Sequence, residues 1–219
     1  MGKSRTWLVR ASTIASQPEL ASVLIRLMLS INDISLASDA NDGWALTTDL
    51  RRDFRRNGAR MYFIRILMAH VYEALLIIRE IAQTPKLRVA VEKCDPQTVA
   101  AFSDLEAFIR SREMKTLNTL RNRIAFHYDR TLPGESLQEI ARQSPERWWS
   151  YSMGSEPLDW YFTLADAVVD RIVIRDAFGL KDPKGPQRTK KTEAIAGRLQ
   201  EVSITFTNFA AYFVRYYSK

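Results

Sequence analysis

The sequence predicts an all-α helical bundle, and three observations carry that expectation. Apolar residues recur at the 3.6-residue period through several long segments, which is the pattern of helices that bury one face. Only eight glycines and eight prolines interrupt 219 residues, so long unbroken helices are favoured. No segment alternates apolar and polar residues as a half-buried strand does. With 46% apolar and 26% charged residues, the chain reads as one globular domain over residues 1–219. Its core spans about 16–178, a basic loop 179–191 and a C-terminal helix 189–217.

The elements follow in order. In "SQPEL", Ser16 is placed to cap a helix, Pro18 suits the first turn, and Glu19 lies three residues beyond Ser16 to complete a capping box. Leu20, Val23, Leu24, Leu27, Met28 and Ile31 then keep the helical period until the polar "SDANDG". "TTDLRRDFRRNGAR" reads as a basic connector holding a short helix. The longest periodic segment runs from about Gly58 to Thr84, where Pro85 stops it. Tyr62, Ile66, Ala69, Val71, Leu75, Leu76 and Ile78 give it an apolar face broad enough for the centre of a bundle.

A shorter unit around "PKLRVAVEKC" leads to Asp95-Pro96, a helix start, followed by Val99, Phe102, Leu105, Phe108 and Ile109 at helical spacing. The next helix covers about Arg112 to Tyr128 and is ended by "TLPG". "ESLQEIARQ" reads as a short helix and "SPERWWSYSMGSEP" as irregular and aromatic-rich. Helices over about Leu158 to Phe178 and Thr189 to Tyr217 complete the chain, separated by "GLKDPKGPQRTKK".

The formal charge of +7 suggests an anionic partner. Arginine outnumbers lysine 23 to nine, and its planar fork suits phosphate oxygens, although genomic base composition produces the same bias. One cysteine, Cys94, excludes an internal disulfide framework and a multi-cysteine zinc site, and a reducing cytoplasmic setting follows naturally. In "IRILMAHVYEALLIIREIA", Arg65, His70, Glu73 and Arg79 break the run of roughly 18 to 20 uncharged residues that a membrane span needs, so no membrane partner is expected. "MGKSRT" fits the bare myristoylation pattern at Gly2 and Thr6, a pattern short enough to arise by chance.

The chemistry concentrates in "LNTLRNRIAFHYDRTLPG", Leu117 to Gly134. One of only two histidines, His127, follows the pair Arg121-Asn122. A histidine can take a proton from an RNA 2′-hydroxyl or give one to a leaving 5′-oxygen. An arginine can hold the charge that develops on the phosphoryl group, and an amide can orient the phosphate or the imidazole. These groups together are sufficient for RNA cleavage without a metal.

"RNRIAFH", an arginine with a polar neighbour and five residues between it and a histidine, resembles the signature of the HEPN superfamily. These helical domains occur in prokaryotic toxins, phage-defence proteins and RNA-processing factors. The wider "LRNRIAFHYD" is similar to the form found in abortive-infection-type HEPN proteins. The resemblance covers about Leu117 to Asp129, with looser support from the helix pattern of residues 58–128. It implies a HEPN-type bundle with additional C-terminal helices and a metal-independent endoribonuclease activity in phage defence, toxin–antitoxin or stress roles. It further implies a homodimer whose two motifs face one cleft, RNA as substrate, no cofactor, and an antitoxin or other neutralising protein as a further partner. Arg121 and His127 would be the catalytic pair and Asn122 the polar supporter.

Spacing alone is not specific, because Arg65 lies five residues before His70. Only Arg56 and Arg121 are followed by asparagine, and that neighbour separates His127 from His70. For His70, mid-helix with Glu73 one turn away, a histidine paired with a carboxylate is the simpler reading. For His127 the bland alternative is an imidazole at a helix C-terminus, interacting with the macrodipole. On an ideal helix Arg121 and His127 are about 120° apart, whereas Arg123 shares the face of His127, which makes Arg123 a substrate-binding candidate. Lys184, Arg188, Lys190 and Lys191 in "KDPKGPQRTKK" are candidates for holding the RNA backbone, or simply a solvated loop. The clusters "RWWSY" and "YFVRYY" suit packing, a dimer interface or base stacking. The competing function is a non-catalytic helical dimer that binds RNA or a partner protein.

Overall fold

The computed structural model describes residues 8–48, 55–122, 131–156, 160–180 and 186–218. The protein is all-α, with nine α-helices and one two-stranded ladder among the described residues. In chain order the helices are α1 (Ala11–Ala15), α2 (Pro18–Ala45), α3 (Arg56–Gln83), α4 (Pro85–Glu92), α5 (Pro96–Ile109), α6 (Arg112–Leu120), α7 (Leu132–Gln143), α8 (Thr163–Ile172) and α9 (Pro186–Tyr217). Strands β1 (Tyr151–Ser152) and β2 (Tyr161–Phe162) precede α8, which passes into a π-helical segment over Val173–Ala177.

The helix starts show which local rules decide. Asp95 caps α5 by accepting from the Thr98 backbone N–H at 3.0 Å and from the Thr98 hydroxyl at 2.9 Å. Ser16 does not cap α2. The short helix α1 ends at Ser16, whose hydroxyl donates to the Thr13 carbonyl at 2.9 Å, and the first bonds of α2 run to the Gln17 carbonyl instead. Glu19 is then free of a capping box and pairs with Lys86. "SDANDG" does not end α2 either, which continues to Ala45. "TLPG" contains the start of α7, with Pro133 in its first turn, where its missing N–H leaves nothing unsatisfied. Pro186 likewise opens α9, so Arg188, Lys190 and Lys191 belong to a helix rather than a loop.

The chain divides into two compact units. Unit 1 comprises residues 1–32, 73–110 and 201–219, and unit 2 residues 33–72 and 111–200. The long helices α2, α3 and α9 each contribute to both. In unit 1, Leu24, Leu27, Leu75, Ile78, Ile81, Leu105, Phe206, Phe209 and Phe213 are fully buried. Phe209 stacks on Phe213 and meets Phe102, each with centroids 5.4 Å apart, while the Tyr217 hydroxyl donates to the Ala90 carbonyl at 2.8 Å. The "YFVRYY" cluster therefore supplies core packing through Phe213. In unit 2, α7 packs on α8 and α6 on the π segment. Glu139 of α7 binds both Arg171 and Arg175, the latter at 3.1 Å.

Two helices, Pro18–Ala45 and the stretch Gly58–Gln83, are long and apolar enough to cross a membrane by length and composition, with mean hydropathies of 1.6 and 1.7 over their most apolar windows. An 18-residue window can avoid enough of the charges that break the longer run. The central helices of water-soluble bundles share this composition, so it does not discriminate between the two settings.

Candidate functional site

The motif helix α6 turns Met114, Leu117 and Leu120 inward, all buried at three-residue spacing. Asn118, Arg121 and Asn122 lie on the rest of its circumference, at the end of the helix. The Arg121 guanidinium donates to Asn122 Oδ1 at 2.7 Å, and Asn122 Nδ2 donates to Asn118 Oδ1 at 2.6 Å. The amide that separates the Arg121 motif from the Arg65–His70 spacing is thus bonded directly to the Arg121 guanidinium. Asn118 extends the chain of bonds by one helical turn and was not singled out from the sequence, although the i, i+4 spacing of two asparagines was available as a signal.

At Arg121–Asn122 the helix takes up π geometry, so the regular rotation of about 100° per residue does not hold at these two residues. The second π segment, Val173–Ala177, packs on α6. His127 and Arg123 lie outside the described residues, as does Lys184. Lys190 is exposed in the first turns of α9, and Arg188 and Lys191 flank it along the helix. Further along, Arg198 Nε of α9 lies 3.9 Å from Glu113 Oε1 at the start of α6. His70 Nδ1 lies 3.5 Å from Asp33 Oδ2, in keeping with a histidine paired to a carboxylate.

A second constellation in unit 2 has no counterpart in the sequence reading. The first turns of α3 and of α8 line an open cleft of about 530 Å3, with Arg60, Met61 and Ile64 on one side and Thr163, Asp166 and Asp170 on the other. Tyr161 of the β ladder also lines it; in that ladder Tyr151 pairs with Phe162 and Ser152 with Tyr161. Side chains alternate along a strand, so Tyr161 faces the opposite way from Phe162 and donates its hydroxyl hydrogen to Asp166. Arg55 lies 4.8 Å from the Tyr161 ring centroid. Burial pushes the Asp166 carboxyl above the usual aspartate range, against the pull of Arg65 and Arg55.

Two arginines border this cleft. Arg60 is exposed and makes no hydrogen bond or ion pair among the described residues. Arg147 lies 4.2 Å from the centroid of the Trp149 ring. The outer face of the ladder is aromatic: Tyr151 and Phe162 stack with centroids 6.1 Å apart and are 68% and 50% exposed. Trp148 is 95% exposed, which rules out core packing for that member of "RWWSY".

No protein-family model, curated protein or solved structure matches this chain. Function must therefore be argued from the residues themselves: an arginine bonded to its own asparagine at a π turn, a basic helix start, and an arginine-bordered cleft with a half-buried carboxyl.

Proposed function

We propose that the protein is a metal-independent endoribonuclease of the HEPN type. The observation that supports this reading is the bond from Arg121 to Asn122 at the end of the motif helix, with Asn118 fixing the amide. In this reading His127 takes the proton from a ribose 2′-hydroxyl, and the 2′-oxygen attacks the adjacent phosphorus. The bond from phosphorus to the 5′-oxygen breaks, that oxygen receives a proton from the imidazolium, and the products are a 2′,3′-cyclic phosphate and a 5′-hydroxyl. Arg121 holds the charge on the non-bridging oxygens, where a fixed guanidinium is worth most because it needs no reorganisation during the reaction. Asn122 keeps that guanidinium aimed. The chain would act as a homodimer on RNA in the cytoplasm, restrained by a neutralising protein.

A non-catalytic module that binds RNA or a protein is the second reading. The exposed aromatic face of the β ladder favours it, since Tyr151 and Phe162 offer a stacking surface that catalysis at α6 does not use. One experiment separates the two. Purified protein in the presence of a chelator is expected to degrade RNA, and His127→Ala or Arg121→Ala protein to lose that activity. Equal degradation by wild type and both variants would sink the ribonuclease reading.

A further inference from the structure

We propose that the cleft between the first turns of α3 and α8 is a nucleotide-binding site, with the phosphate held by Arg60 and Arg147 and the sugar and base toward Asp166 and Asp170. Three observations carry it. The cavity, at about 530 Å3, has the size of sites that enclose small organic ligands. Among the described residues, Arg60 has its guanidinium uncommitted and that of Arg147 meets only the Trp149 ring. The first turn of α3 carries no carboxylate to neutralise its amides.

The mixture of charges selects the ligand class. A free inorganic anion would use the arginines and be repelled by Asp166 and Asp170. A nucleotide is anionic at one end and rich in hydroxyl and amino donors at the other, so it uses both. The exposed Arg147 guanidinium, 4.2 Å from the Trp149 ring centroid, also belongs to a group type that stacks on bases in single-stranded RNA recognition. This chemistry comes from two sources, a free nucleotide or one unit of a single-stranded RNA. The second would make the cleft a substrate-holding site for the proposed ribonuclease, and only that version rests on the ribonuclease reading.

The test measures binding of a fluorescent single-stranded oligoribonucleotide, and separately of adenosine monophosphate, to full-length His127→Ala protein with and without Arg60→Ala and Arg147→Ala. The double substitution is expected to weaken at least one ligand by about tenfold or more, as loss of two bidentate phosphate contacts implies. Arg60→Lys with Arg147→Lys is expected to fall between, keeping charge while losing the planar fork. Weakening of the oligoribonucleotide alone assigns the site to an RNA strand, and weakening of adenosine monophosphate assigns it to free nucleotide. Both side chains are exposed, so the variants are expected to melt with the parent; should the double variant unfold, the single substitutions give the same reading. If neither ligand binds, or both bind all variants equally, the proposal is overturned. Cleavage by the unaltered chain is scored independently: activity indifferent to Arg121→Ala and His127→Ala, with binding still sensitive to Arg60 and Arg147, removes the ribonuclease reading and leaves the cleft.

Discussion

Tyr161 donates its hydroxyl hydrogen to Asp166, and the pair sits so close to Gly58 that a Cβ on that residue would overlap both. Gly58 lies in the first turn of α3, where alanine is ordinarily the better helix former by about 1 kcal/mol at most. Overpacking of a closed contact costs about 1–3 kcal/mol. The obstructing atoms are side-chain ends, but they are bonded to each other, and Tyr161 is fixed in β2 beneath Arg55, so they yield only by breaking their own bond. Gly58→Ala is therefore expected to lower stability by about 1–2 kcal/mol in urea unfolding. Tyr161→Phe should relieve part of that loss when combined with it. An alanine variant as stable as wild type would show that the pair gives way freely.

Two carboxyls give pH dependences of opposite sign. Burial raises Asp166 in the folded state, so the stability attached to its protonated form is complete below the ordinary aspartate range and is lost as pH rises through the raised value. The hydrogen bond from Arg171, with Arg175 beside it, lowers Glu139, so its contribution is present at neutral pH and is lost as pH falls through the lowered value. Melting temperatures across the acid range should show Asp166→Asn gaining on wild type as pH rises. Glu139→Gln should be weaker than wild type at neutral pH and converge on it in acid. Parallel curves for all three proteins would contradict both assignments.

What the sequence made legible was periodicity. Met114, Leu117 and Leu120 are buried at the spacing that predicts a helix face, and Asp95-Pro96 starts a helix as predicted. What it hid was decided by partners distant in the chain or by competition at short range. Ser16 fits a capping box, yet the short α1 claims its hydroxyl first. The strands are two residues each, below the length at which alternation can be seen, and they form because Tyr151 and Phe162 find each other across a connection. The cleft joins Gly58 and Arg60 to Arg147 and Asp166, about a hundred residues on, and no local pattern announces such a meeting. The π turn at Arg121–Asn122 is equally unwritten in local spacing.

The two aromatic clusters should separate cleanly in stability. Phe209 is fully buried against Phe102 and Phe213, and truncating such a ring costs about 3–5 kcal/mol. Trp148 is almost wholly exposed, and its replacement by alanine should stay within about 0.5 kcal/mol. Urea unfolding of Phe209→Ala and Trp148→Ala checks both, and comparable losses would mean that Trp148 is covered in solution, as a dimer interface would cover it.

Asn118 gives the proposed ribonuclease a test that does not remove any group from the chemistry. Its Oδ1 accepts from Asn122 Nδ2, and Asn122 in turn accepts from the Arg121 guanidinium, so it positions the arginine at one remove. Losing one such hydrogen bond is worth about 1 kcal/mol. If the bond serves to aim Arg121 at the transition state, Asn118→Ala should lower kcat roughly fivefold with KM little changed. Asn118→Asp keeps an acceptor at the same place and should recover most of the rate, while a merely structural role would not distinguish the two substitutions in this way. Equal rates for Asn118→Ala and wild type would detach the asparagine pair from catalysis and leave Arg121 to be explained as a helix-end contact.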